Sequence, residues 1–151
     1  MELVKGINSY MTLEEANSIV SDTFYEDEDE AKTWNSLSDN DKTKLIYRST
    51  KVINALIFLG IQYPSDGELR WPRMICSQYV DCPDDVKIAI LLQGIKNKQN
   101  STKDESKLQE LGVKSYSIKG ASISFDGNTT LKLSNGIYSS VYDTYLSRWV
   151  Y

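Results

Sequence analysis

All three prolines of the chain lie in one connection, between the two stretches with the clearest helical periodicity; they are Pro64, Pro72 and Pro83. Proline suits the first position of a helix but not its interior, and it pushes the residue before it towards an extended backbone. A connection of this length inside a compact domain is usually functional. The pattern therefore predicts an ordered connection over residues 64–83, around which the helices are organised.

The centre of this connection reads Arg70-Trp71-Pro72-Arg73. Alternate side chains of an extended run share a face, so Trp71 and Arg73 are predicted to point one way and Arg70 and Pro72 the other. A flat aromatic ring beside a fork-shaped guanidinium is a pairing that protein interfaces favour. Two roles stay open and do not exclude each other: a subunit contact, or a core position in which Arg73 pairs with a carboxylate.

The absence of histidine narrows the possible functions. Histidine is the usual general base and the commonest metal ligand, and no glycine-rich phosphate loop or convincing pair of carboxylates takes its place. We therefore expect a protein that is not an enzyme and that needs no cofactor or metal. A net charge of -4 also argues mildly against a general nucleic-acid binder.

A length of 151 residues predicts one domain, residues 1–151, with a core large enough to need no disulfides. No apolar run is long enough to span a bilayer and no signal peptide follows Met1, so we expect a soluble protein made in a cytoplasm, without a membrane partner. Cys76 and Cys82 fit no metal or redox spacing and are expected to be reduced thiols.

The predicted fold class is mainly α: a helical bundle with a small β-hairpin or bent strand at about 113–125 and a C-terminal helix. Capping residues and apolar periodicity predict four earlier helices. They run from Thr12 to about Asp22, from about Glu28 through Ala31 and Trp34, over about 39–59 behind Ser38, and from Pro83 to about Lys96. Ser134 is the predicted cap of the C-terminal helix, and residues 97–107 are predicted to be a polar loop.

The helix that begins at Pro83 is apolar nearly all round, and such a helix must be covered on more than one side. In a domain of this size we expect a neighbouring copy to supply part of the cover. The C-terminal helix carries Tyr142, Tyr145 and Trp149, a density of aromatic residues that indicates a face partly packed and partly exposed to water.

An unbroken acidic run leads into the start of the second helix; it consists of Glu26, Asp27, Glu28, Asp29 and Glu30. Runs of this kind usually form a solvated loop, and here the acids would also complement the positive start of the helix. The functional alternative is a negative surface that keeps passing DNA from adhering.

The order of these signals resembles a known family. The resemblance covers segments 12–16, 34–38, 52–54, 69–73, 82–87 and 115–125, and its sharpest part is Trp71-Pro72-Arg73 followed by Pro83 at the start of an apolar helix. It is to the head-tail adaptor (connector) proteins of tailed bacteriophages and prophages, some of which are labelled DnaT-like single-stranded-DNA-binding proteins. Cys82 departs from the pattern, which has an aliphatic residue before that proline.

The resemblance implies a structural neck protein of the virion, made in the host cytoplasm, in a ring of about a dozen copies beneath the portal protein. The ring would extend the DNA channel without sequence-specific binding and link the capsid to the tail. Arg70, Trp71, Pro72 and Arg73 would lie at a subunit contact. The C-terminal aromatic residues would dock the portal or a downstream tail-completion protein, and the acidic run would line the channel.

The alternative is a single-stranded-DNA-binding module that acts in replication, as the second family label suggests. Such a module needs exposed aromatic residues with lysine or arginine around them, and its affinity depends strongly on salt. The sequence places most aromatic residues on helical core stripes and the basic residues elsewhere. We therefore expect the neck protein first and the DNA-binding module second.

Overall fold

The structure, a computed structural model, describes residues 2–63, 67–111 and 136–151, and the side chains of residues 101–111 lie outside that description. The fold is mainly α with a small antiparallel sheet, which confirms the predicted class. Within the described ranges, no helix is long and apolar enough to cross a membrane. The elements in chain order are α1 (Leu13–Thr23), α2 (Asp29–Asn35), α3 (Asp39–Asn54), β1 (Ile61–Gln62), β2 (Arg73–Ile75), β3 (Gln78–Val80), α4 (Asp84–Leu111), α5 (Ser139–Val141), a π-helical turn (Tyr142–Leu146) and a 3₁₀ turn (Ser147–Trp149).

Helices α1 and α3 begin where their caps predict, and α2 begins at Asp29, next to its predicted start. The Thr12 hydroxyl accepts a hydrogen bond from the Glu15 amide at 3.1 Å, and the Ser38 hydroxyl accepts one from the Asp41 amide at 3.2 Å. These bonds satisfy donors that the first turn of a helix leaves without a partner. Trp34 of α2 is buried, as its spacing indicated. Cap geometry is local, so the sequence alone predicts it well.

Helix α3 ends at Asn54, five residues before the predicted end. The backbone beyond it is engaged by distant parts of the chain: the Leu59 amide donates to the Trp149 carbonyl at 2.9 Å, and the Tyr151 amide donates to the Ile57 carbonyl at 2.8 Å. The apolar residues that seemed to prolong the helix therefore belong to a segment paired with the C-terminus.

The connection between α3 and α4 contains the sheet, in the order β1-β2-β3 with both pairs antiparallel. Cys76 and Ser77 form the β2–β3 turn, and both have positive φ, 52° and 67°. Strands of two or three residues are too short to show alternation, so the sequence did not predict this sheet. The β-structure predicted at 113–125 and the predicted cap Ser134 lie outside the described residues.

Helix α4 runs for 28 residues, so the loop predicted over residues 97–107 is wrong. This stretch has no apolar stripe, but it contains no proline or glycine and is rich in lysine, glutamine and glutamate, which favour helix. Its beginning is also packed against α2, because the Gln99 amide group donates to the Thr33 hydroxyl at 3.2 Å.

A single copy of the chain covers the apolar part of α4. Helices α1, α2 and α3 and the C-terminal turns all pack on it. The expected contribution of a neighbouring copy to this cover is therefore wrong. The buried apolar residues, each no more than 8% exposed, are Val86, Ala89, Ile90, Leu91, Leu92 and Ile95.

The C-terminal segment is shorter and less regular than the predicted helix, and a polar side chain of α4 holds its start. Gln93 is fully buried; its amide group donates to the Gly136 carbonyl and accepts from the Tyr138 amide, both at 3.0 Å. Because Gln93 satisfies two backbone groups of the segment, the segment enters its first turn without a side-chain cap.

The two thiols are expected to differ sharply in reactivity. Cys76 is exposed in the hairpin turn, whereas burial raises the pKa of the Cys82 thiol to about 12. The thiolate is the reactive species, so near pH 8 the half-buried Cys82 stays protonated. Titration with Ellman's reagent should release one equivalent rapidly from the native protein and a second after denaturation. Loss of the rapid phase in Cys76→Ser would confirm the assignment; two rapid equivalents in the wild type would contradict it.

Candidate functional site

Trp71 lies inside the domain. Its side chain is 3% exposed, and its ring makes edge-on contacts with Phe58 at 5.4 Å and with Trp149 at 5.8 Å between ring centroids. Edge-to-face aromatic pairs at these distances add to the stabilisation that burial supplies. Trp71 therefore joins the sheet to the C-terminal turns.

Arg73 is also buried, at 7% exposure. Its guanidinium binds backbone carbonyls, so the predicted pairing with a carboxylate is wrong. Its rigid fork of donors matches carbonyl oxygens that point to one place from a tight turn. Burial and the nearby Arg70 lower the pKa of Arg73. The carbonyls that accept from it are those of Leu59 at 2.6 Å, Gly60 at 2.8 Å, Arg70 at 3.0 Å and Phe58 at 3.2 Å.

Tyr10 fixes the other side of this connection. Its hydroxyl accepts from the amides of Arg70 at 3.0 Å and Trp71 at 3.3 Å and donates to the Asn54 side chain. Burial raises the pKa of Tyr10, so the hydroxyl stays a donor over the physiological range. Sequence reasoning missed Tyr10, because nothing in residues 1–11 indicated a role.

The structure brings some of the candidate contact residues to the surface and leaves others inside. Arg70 is exposed and Pro72 half-buried, while their neighbours Trp71 and Arg73 are buried, so the predicted alternation of faces is observed. Tyr142, Tyr145 and Trp149 are half-buried, and the Trp149 indole donates to the Asp85 carboxylate at 3.3 Å. A subunit or portal contact through these residues stays a prediction.

The acidic run lies at the start of α2. Glu28 is the N-cap residue, and its carboxylate accepts from the Tyr25 amide at 3.2 Å. Glu26, Asp27 and Asp29 are exposed, and Glu30 is half-buried. None of the five carboxylates forms an ion pair with a residue in the described ranges. Both the solvated loop and the channel lining fit this placement.

One face of α3 is basic, a feature that sequence reasoning did not single out. Lys44, Arg48 and Lys51 are exposed, Tyr47 is half-buried between them, and the Lys51 ammonium lies 4.6 Å from the centre of the Tyr47 ring. Residues spaced by three, four and seven share a helical face. Across the described part of the chain, no carboxylate forms an ion pair with these cations. We call these four residues the basic face.

A groove of about 510 Å³ runs between α3 and α4 beside the basic face. Lys44 and Arg48 line it from α3 and Lys98 lines it from α4, with Asp41 as the single acid among the lining residues. Gly94 also lines the groove. A Cβ added to Gly94 would lie 2.3 Å from the Leu45 side chain, so the missing side chain lets the two helices approach closely.

The groove and the basic face together form a cationic surface on an acidic protein. Polar groups in the groove, among them those of Ser49 and Asn97, can donate and accept hydrogen bonds, while the cations can bind an anion at its rim. The signal was present in the sequence as the spacing Lys44, Tyr47, Arg48, Lys51, but the net charge of -4 concealed it.

No curated protein and no solved structure matches the chain. One family model matches residues 2–150, which is nearly the whole sequence. The chain therefore belongs to the family described as "Putative DnaT-like ssDNA binding protein".

Proposed function

We propose that this protein binds single-stranded DNA along the basic face and the adjoining groove. The observation that carries the proposal is the set of three exposed cations, Lys44, Arg48 and Lys51, that share one face of α3 without an acidic partner in the described ranges. An acidic protein that concentrates unneutralised cations on one face has a local potential opposite to its net charge. The family description supports the same function.

The dimensions of the surface suit a strand. Lys44 and Lys51 are seven residues apart on α3, about 10 Å at the helical rise, which is enough to contact more than one phosphate. Tyr47 offers part of an aromatic ring between the cations, as single-strand binders commonly do. A groove of about 510 Å³ has the size of a small-molecule site, so it suits an unpaired base better than a duplex.

The direct test is fluorescence anisotropy with labelled oligo-dT over a series of salt concentrations. Three phosphate contacts on a single strand predict a slope of about -2 for the logarithm of the association constant against the logarithm of salt concentration. A duplex of the same length should compete less well. Absence of saturable binding at low ionic strength, or binding that is indifferent to salt, would refute the proposal.

A second candidate is the structural neck protein, in a ring of about a dozen copies between the portal and a downstream tail-completion protein. The exposed acidic run favours it, since carboxylates without ionic partners in the described ranges are what a channel needs to limit DNA adhesion. Because the chain itself buries the apolar residues of α4, that helix no longer argues for a neighbouring copy in a ring. Negative-stain microscopy with the protein located in virions would support this candidate, and its absence from purified virions would eliminate it.

A further inference from the structure

The outward side of the small sheet is apolar. Antiparallel pairing places Ile61, Met74 and Tyr79 side by side, and the Tyr63 amide, which donates to the Pro72 carbonyl at 3.0 Å, continues the pairing by one step. Alternate residues of a strand point to the same side, so five residues share one face of the sheet: Ile61, Tyr63, Pro72, Met74 and Tyr79. We call them the outer sheet face. The opposite side carries Arg73, Ile75 and Val80, which are packed against or within the domain.

The outer sheet face exposes apolar and aromatic side chains to solvent to an unusual extent. Ile61 is 71% exposed, Tyr63 56% and Tyr79 55%, and the two tyrosine rings meet edge-on at 6.1 Å. The solvent side of an antiparallel sheet normally carries polar residues, since only the inner side faces a core. A contiguous exposed apolar patch generally marks a surface that another molecule covers.

The edge of the sheet indicates how it would be covered. β3 is the last strand in the order β1-β2-β3, and within the described residues no other strand pairs with its outer edge. An unpaired strand edge presents backbone donors and acceptors to an incoming extended chain. Gln78 and Tyr79 are both exposed, so access to this edge is open.

The charge at the edge of β3 favours one kind of incoming segment. The Tyr79 hydroxyl donates to the exposed Asp81 carboxylate at 3.2 Å, which places a negative charge where β3 leaves the sheet. This carboxylate would repel a phosphate backbone and attract a lysine or arginine. The net charge of -4 also makes another copy of this chain a poorer match than a basic partner.

We propose that β3 and the outer sheet face bind an extended segment of a partner protein, with apolar side chains at alternate positions and a basic side chain opposite Asp81. The segment adds a fourth strand: its backbone pairs with β3, and its apolar side chains cover Tyr79 and the Tyr63 ring that meets Tyr79 edge-on. This surface is separate from the basic face of α3, so the proposal does not depend on DNA binding.

A phage-displayed library of random peptides provides the test. Selection uses the wild-type protein as target, with an excess of the soluble double variant Tyr63→Ser/Tyr79→Ser as competitor. Enriched peptides should carry apolar residues at alternate positions and a lysine or arginine opposite Asp81, and a synthetic copy should bind the wild type at least about tenfold more tightly than the double variant. Tyr25→Ser is the matched control, because Tyr25 is an exposed tyrosine elsewhere, at 77%.

A proline scan of the enriched peptide checks the backbone pairing. Proline at a position that bonds to β3 should abolish binding, while proline at the next position should be tolerated. The proposal is overturned if no peptide is enriched, or if the peptides bind the double variant equally well. It is also overturned if the double variant loses oligo-dT binding, which would assign the face to DNA, or loses a wild-type dimer in sedimentation, which would assign it to a second copy.

Discussion

Replacing Arg73 with methionine is expected to lower the free energy of unfolding by about 3–5 kcal/mol. The guanidinium is the shared donor for four backbone carbonyls that gather around it from the turn after α3 and from Arg70. Methionine fills similar space but donates nothing, so these carbonyls lose their partner in a site with little access to water. Arg73→Lys should recover only part of the loss, since an ammonium cannot reproduce the planar fork.

Urea unfolding followed by circular dichroism measures the effect, and Arg70→Met is its matched control. Arg70 is exposed two residues before Pro72, and removal of its side chain should cost less than about 1 kcal/mol. A small loss in Arg73→Met, together with failure of the variant to assemble with its partners, would show that Arg73 serves a contact between molecules and not the fold of one.

The features that the sequence predicted well are governed by neighbouring residues. Thr12 and Ser38 begin helices because a hydroxyl reaches an amide three residues ahead, and exposed and buried side chains alternate from Arg70 to Trp71 as predicted. The end of α3 depends instead on pairing between Leu59 and Trp149, ninety positions apart in the chain. No local pattern contains that information.

Two mistaken predictions share a physical cause. Residues 97–107 were assigned to a loop because they lack an apolar stripe, yet a helix anchored by a buried first half can continue through polar residues of good propensity. The all-round apolar surface of α4 predicts a neighbouring copy as part of its cover, whereas helices α1, α2 and α3 and the C-terminal turns of the same chain cover it. Periodicity reports what a segment needs to bury, and the tertiary fold decides what buries it.

The candidate site illustrates the limit of whole-chain averages. A net charge of -4 argues mildly against a general nucleic-acid binder, but charge acts through its local distribution over about one Debye length. Lys44, Arg48 and Lys51 lie on one face of α3, while the acids at 26–30 lie just before and within the first turn of α2. The spacing in α3 was readable in the sequence, whereas the groove beside it required the close approach of α4 at Gly94.

Reversing the charge of the basic face in Lys44→Glu/Arg48→Glu/Lys51→Glu is expected to reduce affinity for oligo-dT by roughly 500-fold at ~50 mM monovalent salt. A slope of about 0.7 per phosphate contact corresponds to roughly eightfold per contact at this salt concentration, and three contacts are lost together. The salt slope itself should fall from about -2 towards zero. All three side chains are exposed, so the thermal midpoint should change little.

Two single variants, Arg48→Glu and Lys32→Glu, are compared to separate the loss of a local contact from the change in net charge. Both replacements change the charge by the same amount, but Lys32 is exposed on α2, beside the acidic run. Arg48→Glu should weaken binding about eightfold or more and flatten the salt slope by about 0.7, and Lys32→Glu should leave the slope unchanged. Equal losses in the two variants would mean that DNA responds only to the overall charge of the protein, and the basic face would then not be the binding site.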